Sequence, residues 1–161
     1  MASVSEKNWR DHGVKIVPSA QLDLNTPQTP GMTRAAAITN ACAGAHKLWA
    51  GTVTIHPDAK TGPHHHGELE SVIYVVSGSA RMRWGQSLEY SAEASAGDFI
   101  FVPPFVPHQE INASTDNPLF CVLVRSDQEP IVVNLDIPAA EKPERVEWSD
   151  ANHAAPPITV R

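Results

Sequence analysis

The sequence predicts an all-β fold, an antiparallel barrel or sandwich with little helix. Three observations lead there. Short β-prone runs follow one another at close spacing from Met32 onward, turn-forming residues separate them in a chain with Pro 14 and Gly 9, and no segment sustains a 3.6-residue apolar period over ten or more positions. Parallel strands need long crossover connections, so strands with no helices between them pair antiparallel.

Taken in order, residues 1–30 are polar and punctuated by proline. They are expected to form an N-terminal arm with a possible edge strand at Val14 to Pro18, wrapping the barrel or reaching a neighbouring subunit. The barrel itself is expected over 31–137, with strands at Thr33 to Thr39, Lys47 to His56, Ser71 to Val76, Ala80 to Trp84, Leu88 to Ala94, Asp98 to Val102, His108 to Ala113, Leu119 to Arg125 and Ile131 to Ile137. Turns punctuate them at His56-Pro57-Asp58, Thr61-Gly62-Pro63, Ser77-Gly78, Trp84-Gly85, Ala96-Gly97-Asp98, Val102-Pro103-Pro104 and Asn117-Pro118. Residues 138–161, with Pro138, Pro143, Pro156 and Pro157, read as a proline-rich C-terminal arm.

A chain of 161 residues suits one domain with one core. Its net charge of -6 gives no electrostatic footprint for phosphate backbones or anionic lipid, which need clustered Lys and Arg, so nucleic acid and membrane are not expected partners. No apolar run approaches the roughly 20 residues that span a bilayer, and the opening MASVSEKNWRDHG lacks the basic-then-apolar order of a signal peptide. A cytoplasmic protein is the expectation, with Cys42 and Cys121 as free thiols and Cys121 packed in the core. No nucleophile elbow or glycine-rich phosphate loop is present.

Of eight histidines, three stand together in Gly62-Pro63-His64-His65-His66-Gly67-Glu68-Leu69-Glu70. Residues two apart on a strand share a face, so His64 and His66 point one way and His65 the other. Two adjacent imidazoles are half a metal site, suited to Zn, Fe, Ni, Cu and Mn, and an added carboxylate favours harder ions such as Fe(II) or Mn(II). A second segment, from Gly97 to Asn112, places His108 at the start of a strand just after the rigid Pro103-Pro104-Phe105-Val106-Pro107 turn. His12, His46, His56 and His153 have no partner at ligand spacing and read as surface or structural residues.

Together the two segments resemble the cupin superfamily, whose motifs read G-x5-H-x-H-x3-4-E-x6-G and G-x5-P-x-G-x2-H-x3-N. Gly97, Pro103, His108 and Asn112 match the second, with Phe105 where glycine is usual. His64, His66, Glu70 and Gly78 align with the first, although Gly62 lies one residue from His64 and seven residues separate Glu70 from Gly78 where six is usual. Counting back from Gly78 puts Ser71 at the carboxylate position. Alternation instead favours Glu70, whose parity continues through the apolar Val72, Tyr74 and Val76, since an inward face should be the more apolar one. A site of three histidines is the alternative.

The resemblance implies a cupin-type antiparallel β-barrel, a double-stranded β-helix or jelly roll. It implies one divalent metal ion, Fe, Mn, Ni or Zn, held by His64, His66 and His108 as neutral imidazoles and by Glu70. Each imidazole would be oriented by a hydrogen bond from its other nitrogen. It further implies a homodimer. Tyr74, Met82, Trp84, Phe99 and Phe101, with Trp49 and Phe105, are candidates to line a substrate pocket, and Arg81 and Arg83 to clamp a substrate carboxylate. Glu110 shares the parity of His108 and is a candidate acceptor behind it. The function expected is a metal-dependent enzyme of dioxygenase, decarboxylase or isomerase type, acting on a small anionic oxygen-bearing molecule. The alternative is a non-catalytic module that binds or senses a small molecule.

Overall fold

The computed structural model describes residues 7–146. Residues 1–6 of the expected N-terminal arm and residues 147–161 of the C-terminal arm, His153 among them, lie outside the described residues.

Eleven strands are described: β1 (Met32–Ile38), β2 (Trp49–Ile55), β3 (His64–His65), β4 (Ser71–Ser77), β5 (Ser79–Trp84), β6 (Tyr90–Ser95), β7 (Phe99–Val102), β8 (His108–Asn112), β9 (Leu119–Arg125), β10 (Val133–Asn134) and β11 (Glu144–Arg145). Two short α-helices accompany them, α1 (Lys7–His12) and α2 (Asn40–Ala43), with one 3-10 turn at Ser19–Gln21. Thr39 opens α2 by accepting from the Cys42 amide, and Gly44 ends it in the left-handed region. Among the described residues no helix is long and apolar enough to cross a membrane.

The strands form two sheets, one in the order β1-β2-β9-β4-β7 and one in the order β10-β3-β8-β5-β6-β11. Every pairing is antiparallel except that of β11 with β6. Met32, Val53, Ile55, Ile73, Val75, Val102, Leu119 and Cys121 of the first sheet pack against Ala80 and Met82 of the second to make the core. Alternation is strict in β2, where Trp49, Gly51, Val53 and Ile55 are buried and the residues between them are not.

That inner face changes character along its length. Ile55, Leu119 and Val75 close one end, whereas Trp49, Arg125 and Ser71 lie at the other as direct neighbours, Arg125 pairing with Trp49 on one side and with Ser71 on the other. The second sheet brings His64 and His108 to the same end of the molecule's polar interior, with Glu110 two residues further along β8.

Three motif positions have a backbone or stitching role. Gly78 sits at φ +94°, where a Cβ would stand 2.7 Å from the Pro118 carbonyl oxygen. Asn112 is buried and its amide donates to the carbonyls of Ile55, His56 and Asn117 at 3.1, 3.1 and 2.8 Å. Phe105, where glycine is usual, has φ +60° and is held there by its amide bond to the Gly67 carbonyl at 2.8 Å.

The termini differ from expectation. Val14 to Pro18 forms no strand: Val14 and Ile16 are exposed, and residues 23–29 instead meet β1 through a bridge from Asp23 to Ala36 and through hydrogen bonds of Gln28 and Thr29 with Arg34. The expected strand from Ile131 to Ile137 shortens to β10, and Glu144–Arg145 adds a rung beside β6. Both are edge additions too short to show as alternation in sequence.

Candidate metal centre

His64 and His108 face one another across the β3–β8 pair, and His66 follows one residue beyond β3 on the same side. The ring centroids stand 4.4 Å apart for His64 and His108, 4.8 Å for His64 and His66, and 5.1 Å for His66 and His108. With the Glu110 carboxylate, the ligand atoms of these four residues lie within 4.8 Å of one another. The shared face expected of His64 and His66 is therefore present, and both join the imidazole from the second segment.

The hydrogen bonds fix the state of each ring. Nδ1 of His64 meets the Gly62 carbonyl at 2.9 Å, that of His66 the Ile131 carbonyl at 2.7 Å, and that of His108 the Val106 carbonyl at 2.9 Å. A carbonyl only accepts, so each Nδ1 carries the proton and donates. In the neutral ring the Nε2 lone pair is then free to coordinate. Burial pushes the His66 pKa down to about 4, partly countered by its bond to Ile131 and reinforced by His64. Burial also lowers that of His108, partly countered by Glu110. Both rings are neutral at pH 7.

His108 Nε2 is buried without a hydrogen-bond partner, and its nearest charged neighbour is Glu110 Oε1 at 3.9 Å. An orphaned buried nitrogen is costly unless something outside the protein chain satisfies it. Three imidazole nitrogens and one carboxylate oxygen converging on a point are a donor set that fits one divalent cation.

The carboxylate in this group belongs to Glu110 and not to Glu70. Glu70 is exposed, and its amide and carbonyl bond to Ser126. Ser71, Ile73 and Val75 are the inward residues of β4, while Val72 and Val76 face solvent. Apolarity misled the assignment of faces because the inner face of β4 turns polar as it reaches the site. Counting back from Gly78 gives the inward position, Ser71, and parity with His108 gives the acidic neighbour.

His64 and His66 open onto a cavity of about 630 Å³, lined also by Glu110, Arg34, Trp49, Ser71 and Arg125. The expected lining is mostly elsewhere. Phe99 and Phe101 are exposed on the outer face of β7, where Phe99 packs its ring 4.7 Å from Tyr74. Met82 is in the core, Trp84 packs against Tyr90 and the core, and Phe105 is exposed beside His65. Of the aromatic candidates Trp49 lines the cavity. Arg81 pairs with Glu93 at the surface, and Arg83 donates to the carbonyls of Leu88 and Ala140, so neither faces it. His46 and His56 are exposed.

Residues 51–125 match the model of the cupin domain family. No curated protein matches the chain. Among solved structures, one of oxalate decarboxylase is similar at 25% identity and a TM-score of 0.59, over 71% of this chain and 31% of that one. The chain thus spans about a third of the length of that protein. An uncharacterized conserved protein with a double-stranded β-helix domain from Klebsiella pneumoniae matches at 17% identity and a TM-score of 0.58, over 76% of this chain and 98% of its own. KdgF from Halomonas sp. matches at 19% identity and 0.58, over 72% and 96%. With the family match over that stretch, and with two facing sheets that have the fold of the double-stranded β-helix structures above, residues 51–125 of this chain are a cupin domain.

Proposed function

We propose that the chain binds one divalent metal ion, iron, manganese, nickel or zinc, through His64, His66, His108 and Glu110, and that it acts as an enzyme on a small anionic molecule bearing oxygen donors. The observation that carries this is the tautomer lock: three Nδ1–carbonyl bonds leave three Nε2 lone pairs converging beside a carboxylate. When bound, such an ion supplies Lewis-acid or redox chemistry to an oxygen-bearing ligand. The chain's own part is to keep His66 and His108 neutral, hold the three ring planes, and give a substrate access through the adjoining cavity. The similarity to oxalate decarboxylase, a protein whose name states a small anionic substrate, supports this class of reaction.

The test is elemental analysis of protein purified without an affinity tag, joined to turnover assays. One ion per chain, with consumption of oxygen or release of carbon dioxide from candidate small acids, is the expected result. Saturable binding with unchanged ligand would instead indicate a sensing or carrier module, and absence of metal from metal-replete preparations would overturn the reading.

The same reading includes a homodimer in the cytoplasm. Val72, Val76, Phe99 and Phe101 are exposed on the outside of β4 and β7, apolar surface of the kind that subunit contacts cover. Light scattering giving about the 17.4 kDa of one chain would reject the dimer.

A further inference from the structure

We infer that Arg125 and Arg34 form a carboxylate-binding subsite in the cavity beside the imidazoles, with Ser71 completing it and Trp49 fixing the plane of the Arg125 guanidinium. The ligand is then an acid whose carboxylate lies on the arginines while a second oxygen group turns to the metal position. This deepens the proposed function and, for the metal-facing half of the ligand, rests on it.

Arg125 is 8% exposed, and its Nε has no hydrogen-bond partner. Its guanidinium lies 4.0 Å over the Trp49 ring. That stacking orients a planar fork but leaves the in-plane N–H groups free to donate. Ser71, directly across from Arg125 in β4, is 3% exposed, and its Oγ also lacks a partner. Two unpartnered polar groups side by side at nine-tenths burial, both lining the cavity, are a cost to folding that a bound anion would remove.

Arg34 brings a second cation to the same cavity. It pairs with Val53, whose side chain is in the core, so it too belongs to the inner face of the sheet. Its Nη1 donates to Thr29 Oγ1 at 2.7 Å, which anchors the side chain without neutralising it. Among the described residues neither arginine has a carboxylate within ion-pair distance. The acidic residue lining the cavity is Glu110, already grouped with the imidazoles. The chain carries a net charge of -6, yet this cavity sets two arginines against one carboxylate, and a divalent ion at the imidazoles would add to the positive charge. A guanidinium fork donating two parallel N–H groups matches a carboxylate bidentately, and a neighbouring hydroxyl adds a third donor.

The experiment uses malonate as the probe and its neutral diamide, malonamide, as the control, measured by calorimetry first on the metal-free protein. Saturable malonate binding, no malonamide binding, and at least a tenfold loss of malonate affinity in Arg125→Gln are expected. Arg125→Gln should retain the wild-type affinity for Mn2+ or Zn2+ within about threefold, which separates this subsite from the metal site. Should Arg125→Gln prove unfolded by circular dichroism, Arg34→Gln carries the same test, since its side chain is only half-buried at an edge strand. Malonate affinity unchanged in the folded arginine variants, or malonamide binding as tightly as malonate, would overturn the proposal. Malonate binding that depends on arginine in a protein that takes up no metal would uphold the subsite and reject the metal reading alone.

Discussion

His64 and His108 are direct cross-strand partners in the β3–β8 pair, their rings 4.4 Å apart, although 43 residues of chain lie between them. Each is locked by a carbonyl two residues before it, Gly62 for one and Val106 for the other. The two halves of the site are thus built by the same local device, placed opposite each other by one rung of a ladder.

Because both rings aim Nε2 at the same point, His64→Ala or His108→Ala should abolish metal binding. Glu110→Gln should weaken it by at least about tenfold, some 1.4 kcal/mol, while Glu70→Gln leaves it unchanged. Titration of each variant with Co2+ or Mn2+ separates these outcomes, and a loss in Glu70→Gln matching that in Glu110→Gln would contradict the assignment of the carboxylate.

The metal-free protein should lose stability in acid. His66 has a folded pKa of about 4, below its ordinary 6.5, so the unfolded chain takes up the proton more readily. Its contribution is whole above pH 6.5 and is lost as pH falls towards 4, a cost of about 3 kcal/mol by linkage. His108 is shifted in the same direction by burial and adds to the slope. Urea midpoints taken between pH 7.5 and 4.5 should fall accordingly, and a flat profile would contradict the buried, neutral state of these rings.

Phe105 occupies φ +60°, a region that costs a residue with a side chain about 1 to 2 kcal/mol. Its ring is exposed, so little packing is at stake. Phe105→Gly should be more stable than Phe105→Ala by about 1 kcal/mol, even though glycine is the more flexible residue in the unfolded chain. Equal denaturation midpoints for the two variants would show that this backbone position is not strained.

Burial pushes the Cys121 thiol up to about 12, so it stays protonated and unreactive at neutral pH. Cys42 is half-buried. Iodoacetamide should label Cys42 in the native protein and reach Cys121 only after denaturation, as mass spectrometry of the peptides would read.

Much of the site was legible because its signals are local. The x-H-x-H spacing places His64 and His66 on one side, and the proline turn before His108 marks where β8 begins. Eight of the nine expected strands reappear with ends moved by a residue or two, and turn residues such as Gly78 mark the breaks. What escaped was decided by pairing across the sheets. Ser71 faces inward because β4 lies between β9 and β7 in a particular register, which no count of apolar residues within β4 reports. Arg125 ends a run that reads as a core strand, and its closeness to Trp49 exists only through the β2–β9 ladder. The two-residue strands β3, β10 and β11 have no periodicity of their own and exist only as partners.

β3 is moored by two rungs to β10 and by a single pair to β8. An ion gripped by His64 of this slender strand, by His66 just beyond it and by two residues of β8 would act as a rivet between distant stretches of chain. Heat resistance should therefore track occupancy, and a chelator would loosen this rim, with its Gly67–Phe105 tether, before the body of the molecule gave way.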